Sequence, residues 1–138
     1  MSTESHGIIA TATAEIGTAN YAVAISTGRH ALTSDEPPGN GGADKGPSPF
    51  ELLLSSLGAC TIITLRMYAE RKGWPLEGAR IELAYHAGEP AAVDRMVTLI
   101  GGLDDAQRQR LGEIAEKTPV TRALKTGVAI RTTLRSSR

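Results

Sequence analysis

One long and unusually apolar helix is the feature that most constrains what this chain can fold into. Residues 48–51, with the sequence SPFE, have the pattern of a helix start: an N-cap serine, a proline at the first helical position and a capping-box glutamate. The helix is predicted to run to about Lys72 and to stop at Gly73. From 52 to 65 it is apolar or small on nearly every side, which predicts burial.

The length of this helix is a second constraint. At ~1.5 Å per residue the helix would be about 36 Å long. A globule of 138 residues does not easily enclose a helix of that length. A monomer would also leave more apolar surface exposed than soluble monomers usually carry. The sequence therefore predicts an obligate homodimer in which a second copy covers part of the helix.

Alternating small, β-branched and polar residues on both sides of the helix predict antiparallel strands. Before the helix, strands are expected at 8–14 and 20–27, with a turn at 17–20 and a third short strand around 30–33. A loop at 35–49 follows, and after the central helix we expect strands at 79–87 and 95–100 and a last strand at 128–134. Between these last two strands we expect a helix that is capped by Asp104 or Asp105 and reaches about Lys117, and a short helix that starts at Thr118-Pro119 and ends at Gly127. The order β-β-(β)-α-β-β-α-α-β predicts an α+β fold with a mainly antiparallel sheet, in a single domain over residues 1–138.

Charge and composition exclude several classes of partner. Lys plus Arg and Asp plus Glu are both 15, and this balance argues against a nucleic-acid partner or a polybasic membrane anchor. Residues 1–7 lack the charged and apolar regions of a signal peptide, and no apolar stretch is expected to reach the ~18 residues of a membrane span. A lone cysteine fits a reducing compartment. We therefore expect a soluble, cytoplasmic protein with no membrane partner.

Any thiol chemistry must use Cys60, because the chain has no other cysteine. This residue is predicted about three turns into the central helix, where the dipole of that helix no longer acts, so an active thiolate would need a nearby cation. The alternative is a small core residue, since free cysteine is among the most buried residue types. His6, His30 and His86 have no partner at metal-ligand spacing, so we predict no metal and no cofactor.

The segment GPSPFELLLSSLGACT, residues 46–61, resembles the OsmC/Ohr family of osmotically induced and organic hydroperoxide resistance proteins. The resemblance extends over nearly the whole chain, including TPVT at 118–121, and it is to a branch that lacks the second cysteine. It implies an intertwined homodimer in which two sheets enclose two central helices and the active sites lie at the subunit interface. It also implies that a peroxidatic cysteine reduces an organic hydroperoxide and becomes a sulfenic acid, which a second cysteine and an external dithiol then resolve.

Only part of the family's reacting groups is present. By the resemblance, Cys60 falls on the peroxidatic cysteine and Thr118 falls on the second, resolving cysteine. Thr118 also has a structural explanation, because threonine is a good N-cap for the helix that begins at Pro119.

The two groups that ionise the family's thiol match less well. The family glutamate falls on Phe50, and Glu51 lies one residue later, where its capping role is explanation enough. The family arginine falls in the turn at 17–20, which has none, and Arg29 in the next turn is the nearest substitute. We keep Arg29 and Glu51 as candidate catalytic residues, with surface charge and helix capping as their alternatives.

Three functions remain open at this stage. The first is a one-cysteine hydroperoxide reductase whose Cys60 sulfenic acid is resolved by an external thiol. The second is a binding protein whose dimer cleft holds a small apolar or lipid-like ligand. The third is a redox sensor without turnover, in which oxidation of Cys60 alters the dimer. High reactivity of the Cys60 thiol would favour the first or the third function, and turnover of peroxide would separate those two.

Overall fold

The computed structural model describes residues 7–137, which form two compact units that divide between Leu53 and Leu54. The predictions made for His6 and for the other residues before Gly7 lie outside the described part of the chain. The single-domain organisation stays a prediction.

The N-terminal unit contains a three-stranded antiparallel sheet in the order β1-β2-β3. Its strands are β1 (Thr13–Glu15), β2 (Val23–Thr27) and β3 (His30–Ser34). The third strand predicted around 30–33 is therefore confirmed. The first strand is shorter than predicted, because β2 provides a partner only for residues 13–15.

A buried carboxylate organises the loop between β3 and the central helix. Asp35 is almost fully buried and accepts hydrogen bonds from four backbone N–H groups, those of Tyr21, Glu36, Ala43 and Lys45, at 2.7–3.3 Å. Burial raises the pKa of this carboxyl, but the four hydrogen bonds together outweigh burial and hold the pKa below its usual value. Asp35 therefore holds the loop together.

The central helix, α1, has the predicted bounds, Pro49–Lys72. Its capping box is formed: the backbone N–H of Ser48 donates to Glu51 Oε1 at 2.8 Å, and the backbone N–H of Glu51 donates to Ser48 Oγ at 3.3 Å. Gly73 ends the helix in the left-handed region, with φ of 70°. These local signals sufficed because both ends of the helix are made by residues adjacent in sequence.

The α1 helix is long and apolar enough, by length and composition alone, to cross a membrane, with a mean hydropathy of 1.5 over 18 residues. This corrects our expectation that no apolar stretch has that length. The serines and threonines of the helix interrupt every strictly apolar run but lower the average only slightly. The core helix of a soluble protein passes the same test, so the finding does not assign the helix to a membrane.

Burial of α1 is one-sided in this chain, whereas its sequence predicts burial all round. Its buried residues are Leu57, Gly58, Thr61, Leu65 and Ala69, spaced for one helix face. Ile63 and Met67 on another face are more than half exposed. The α1 helix therefore has more apolar surface than the described residues cover by themselves.

The C-terminal unit packs that buried face against a hairpin and a short helix. The hairpin is β4 (Gly78–His86) with β5 (Ala92–Ile100), and the helices are α2 (Asp105–Ala115) and α3 (Pro119–Thr126). Gly58 allows the close approach of α1 to the hairpin, because a Cβ at that position would lie 3.0 Å from Leu83 Cδ1. The core is aliphatic and consists of Leu65, Ala69, Leu76, Leu103, Leu111 and Ala115.

The predicted last strand is wrong for this chain. Residues 127–137 have no regular secondary structure, and Val128, Ile130 and Leu134 are 68%, 85% and 92% exposed. Alternation marks a strand's two faces, but a strand also needs a neighbour for its backbone hydrogen bonds, and none of the described strands pairs with this segment. The α+β class, with antiparallel sheets and one long helix, is nevertheless as predicted.

Candidate functional site

The Cys60 thiol lies at the N-terminal end of a second helix. The backbone N–H of Val120, the second residue of α3, donates a hydrogen bond to Cys60 Sγ at 3.4 Å. The first N–H groups of a helix have no partner within it and carry partial positive charge. The sulfur, which is too far along α1 to benefit from that helix's own dipole, is thus placed at the favourable end of α3. Cys60 is partly exposed.

The start of α3 is arranged differently from a standard cap. Thr118 occupies the N-cap position with extended backbone, as predicted, but its side chain makes no capping hydrogen bond. Its hydroxyl lies 2.6 Å from Thr121 Oγ1, and both residues are buried. The expected capping role of the Thr118 hydroxyl is therefore corrected. The N–H of Val120, which an N-cap side chain could have bound, is directed to Cys60 instead.

An arginine on the inward face of the hairpin joins the elements of this site. Arg95 lies opposite Leu83 in the β4–β5 register, and its side chain is only 14% exposed. Its Nη1 donates to Thr61 Oγ1 at 3.0 Å and to Thr121 Oγ1 at 2.8 Å, and its Nη2 donates to the carbonyl of Ala115 at 2.8 Å. One guanidinium therefore links β5 to α1, to the end of α2 and to α3.

Two further charges adjoin the guanidinium. The Glu116 carboxylate lies 3.5 Å from Arg95 Nη2 and 2.6 Å from Lys125 Nζ. The hydrogen bond from Lys125 is the largest cause that lowers the pKa of Glu116, and Arg95 lowers it further, while burial opposes both. Glu116 thus stays ionised at neutral pH and interacts with both cations.

The candidates from sequence fall into two groups. Cys60 and Thr118 lie in the C-terminal unit, where Val120, two residues after Thr118, contacts the sulfur. Arg29 and Glu51 lie in the N-terminal unit, the first exposed in the β2–β3 turn and the second in the capping box of α1. The catalytic roles of all four stay predictions. Within residues 7–137, no group of three or more His, Cys, Asp or Glu side chains could hold a metal ion.

Sequence reasoning missed Arg95, although a signal was present. Alternation along β5 puts Arg95 in phase with Val93, Val97 and Leu99, which are all at least partly buried. An arginine at an inward position of such a strand is an exception that needs a partner. The hydroxyls that provide it, those of Thr61 and Thr121, lie 34 and 26 residues away in sequence.

Fold and site together define a class: an α+β protein with antiparallel sheets and one long helix, whose one thiol meets the N-terminus of a short helix. A family model described as OsmC-like protein matches residues 41–133, more than half of the chain. The chain therefore belongs to the OsmC-like family. Among curated proteins, none matches the sequence significantly.

Solved structures of this family have the same fold. An OsmC-like protein from Mycoplasma pneumoniae is 16% identical with a TM-score of 0.75, over 87% of this chain and 89% of that one. An organic hydroperoxide resistance protein OsmC from Legionella pneumophila is 23% identical with a TM-score of 0.60, over 88% and 92%. A Vibrio cholerae protein that holds captopril in one of its active sites is 20% identical with a TM-score of 0.63, over 90% and 89%.

Proposed function

We propose that this OsmC-like protein is a one-cysteine, thiol-dependent reductase of organic hydroperoxides that acts through Cys60. The observation that carries the proposal is the hydrogen bond from the Val120 N–H, at the N-terminus of α3, to Cys60 Sγ. Cysteines at helix N-termini are a recurrent kind of reactive cysteine, because the helix end favours the thiolate, which is the nucleophile. A cysteine that only fills the core needs no such donor.

The reaction needs two steps and an external reductant. In the first, the Cys60 thiolate attacks the terminal oxygen of the hydroperoxide, an S–O bond forms and the O–O bond breaks. Two electrons pass from sulfur to the peroxide, the alkoxide takes up a proton and leaves as the alcohol, and Cys60 becomes a sulfenic acid. In the second, a thiol attacks that sulfur and releases water, and a further thiol attacks the mixed disulfide, which restores the Cys60 thiol and releases the two reductant thiols joined as a disulfide.

The class of substrate is supported by relatives of the same fold. The Legionella pneumophila protein is named for resistance to organic hydroperoxides, and the Vibrio cholerae protein accommodates captopril in an active site. A small organic hydroperoxide fits both descriptions. The reductant of this chain must be external, because the second thiol of the family is replaced by Thr118. Arg29 and Glu51 stay candidates for supporting roles.

The test combines turnover with identification of the oxidised residue. Purified protein is mixed with an organic hydroperoxide and excess dithiol, loss of peroxide is followed, and a parallel sample without dithiol is treated with a sulfenic-acid-specific nucleophile for mass spectrometry. We expect many equivalents of peroxide to be consumed and the adduct to lie on Cys60. One equivalent consumed without turnover would instead indicate a redox sensor. No oxidation of Cys60 would indicate a ligand-binding protein.

We propose that the protein works as a homodimer in the cytoplasm, where thiol reductants are available. A groove of about 370 Å³ beside α1 is lined mainly by apolar residues, among them Ile62, Ile63, Met67 and Leu76. The unpaired segment after Gly127 carries three further exposed apolar side chains in alternation. A second copy that covers these surfaces would remove the apolar exposure that the single chain leaves.

Met67→Asp is expected to prevent dimerisation, because it places a charge on the exposed apolar face of α1. Met96→Asp is the matched control: Met96 is 68% exposed on β5, in the outward phase that it shares with Asp94. Sedimentation velocity at micromolar concentration should show a dimer for the wild type and for Met96→Asp, and a monomer or unfolded chain for Met67→Asp. A stable, folded wild-type monomer would contradict the proposed assembly.

Thr118→Cys is expected to restore a resolving thiol. Thr118 is fully buried and lies two residues before the N–H that contacts Cys60 Sγ. Disulfide closure needs Cα atoms within about 7 Å, so the variant tests whether position 118 lies that close to Cys60. Peroxide should therefore produce an intramolecular disulfide between Cys60 and the introduced thiol, seen as a mass loss of two hydrogens and as a cross-linked peptide.

The control for this variant is Thr126→Cys, at the other end of α3. Six residues of helix separate it from Val120, about 9 Å along the axis. It should give no intramolecular bond under the same treatment. If folded Thr118→Cys behaves like Thr126→Cys, the side chain at 118 does not reach Cys60, and the assignment of the resolving position fails.

A further inference from the structure

Stability alone does not explain why an arginine occupies position 95, on the inward face of β5. Its strand neighbours in the same phase are Val93 and Val97, so an aliphatic residue at 95 would continue the apolar face. Replacing a buried ionic group by a well-packed apolar side chain is often neutral or stabilising. An arginine here therefore suggests that its hydrogen bonds serve a purpose which packing alone does not.

The hydrogen bonds of Arg95 flank the thiol contact on both sides. Nη1 donates to the hydroxyl of Thr61, the residue after Cys60, and to the hydroxyl of Thr121, the residue after Val120. Cys60 and Val120, which make the contact between sulfur and N–H, are thus each followed directly by a threonine. Arg95 Nη1 binds both of these threonines. This nitrogen therefore bridges α1 and the first turn of α3 directly beside the thiol contact.

We infer that Arg95 is a positioning residue for the Cys60 thiol: by binding Thr61 and Thr121 together, it keeps the Val120 N–H directed at the sulfur. This inference rests on the proposed function only in giving that thiol a reaction to perform. Thr61 is itself fixed, because its hydroxyl donates to the carbonyl of Leu57 at 2.7 Å while it accepts from Arg95.

A lysine could not do the same. The planar guanidinium offers several N–H donors in fixed directions, and here Nη1 serves two hydroxyls while Nη2 serves the Ala115 carbonyl. The other charged groups gathered at Arg95 are Glu116, after α2, and Lys125, on α3. Both are more than half exposed, so Arg95 is the buried charge of the group.

Arg95→Met tests the inference through the reactivity of the thiol. The rate constant for alkylation of Cys60 by iodoacetamide is measured at pH 7 and at pH 10. The ratio of the rate constant at pH 7 to that at pH 10 is then compared between variants. A hydrogen bond to a charged group is worth about a factor of ten or more. We therefore expect the ratio in Arg95→Met to fall about tenfold, since the donor favours the thiolate at pH 7 and matters little at pH 10. A purely structural role would lower the melting temperature and leave the ratio unchanged.

Arg80→Met is the matched control, since Arg80 lies on the adjacent strand β4 with a side chain 71% exposed. Its ratio should equal that of the wild type. Arg95→Lys should give an intermediate ratio, because lysine has a single donor nitrogen and lacks the second one that binds the Ala115 carbonyl here. An unchanged ratio in folded Arg95→Met would overturn the inference.

Should Arg95→Met fail to fold, a pair at Thr121 decides the question. Thr121→Val removes the hydroxyl that accepts from Arg95, and Thr121→Ser keeps it. We expect a fall of about threefold in the ratio for valine and a change below twofold for serine. Equal ratios in both would overturn the inference. Because alkylation needs no peroxide, a protein without reductase activity can still pass this test, so the two proposals fail separately.

Discussion

Cys60→Ser is expected to abolish thiol-dependent turnover of organic hydroperoxide. The loss should be at least about 10³-fold, because the serine hydroxyl is not a nucleophile without a base to activate it. Serine is close in size, and its oxygen can accept the hydrogen bond that Val120 gives to the sulfur, so the fold should be retained. Steady-state peroxide loss in the presence of excess dithiol measures the effect, with circular dichroism to verify folding.

Oxidation of exposed methionines consumes peroxide and therefore contributes a background to this assay. Met67 and Met96 are 58% and 68% exposed, and peroxides convert methionine to its sulfoxide. The matched control is therefore Met67→Leu with Met96→Leu, which should keep full turnover while the stoichiometric background falls. Equal turnover in wild type and Cys60→Ser would rule out the proposed reductase activity.

Gly101→Ala is expected to destabilise the protein by about 3 kcal/mol or more, which corresponds to roughly 10 °C in melting temperature. Gly101 follows β5 with φ of +139°, a conformation that side chains rarely adopt. A Cβ at this position would lie 2.0 Å from the carbonyl oxygen of Pro75. A 2.7 Å hydrogen bond from the Glu77 N–H to the Ile100 carbonyl holds the two backbone segments together beside this contact. The backbone therefore has little room to move away.

The adjacent glycine provides the control. A Cβ built on Gly102 meets nothing within 4 Å, and its φ is not in the positive range. Gly102→Ala should therefore change the free energy of unfolding by less than about 1 kcal/mol. Chemical denaturation of both variants beside the wild type measures the difference. A Gly101→Ala variant as stable as Gly102→Ala would show that the end of β5 is not held against Pro75.

Features made by neighbouring residues could be predicted from the sequence. The start of α1 depends on Ser48 and Glu51, three residues apart, and its end depends on Gly73 alone. The hairpins and the N-cap position of Thr118 follow from equally local patterns. The prediction for 128–134 failed because a strand is completed by a partner that is distant in sequence. The direction of the Thr118 hydroxyl could not be predicted because its partner, the Thr121 hydroxyl, is held in place by Arg95, which lies on strand β5 and is distant in sequence.

The sequence by itself determined that any thiol chemistry belongs to Cys60, that this thiol lies deep in a long apolar helix, and that the chain is α+β. Only the tertiary structure decided what surrounds the sulfur. Cys60, Arg95 and Val120 are separated by 35 and 25 residues along the chain, and no local pattern specifies that they meet. They come together because α1 packs on the β4–β5 hairpin through Gly58 and because the N-terminus of α3 lies beside Cys60. The environment of a reactive group is a property of packing, which is set by contacts between elements and not by the residues that flank it.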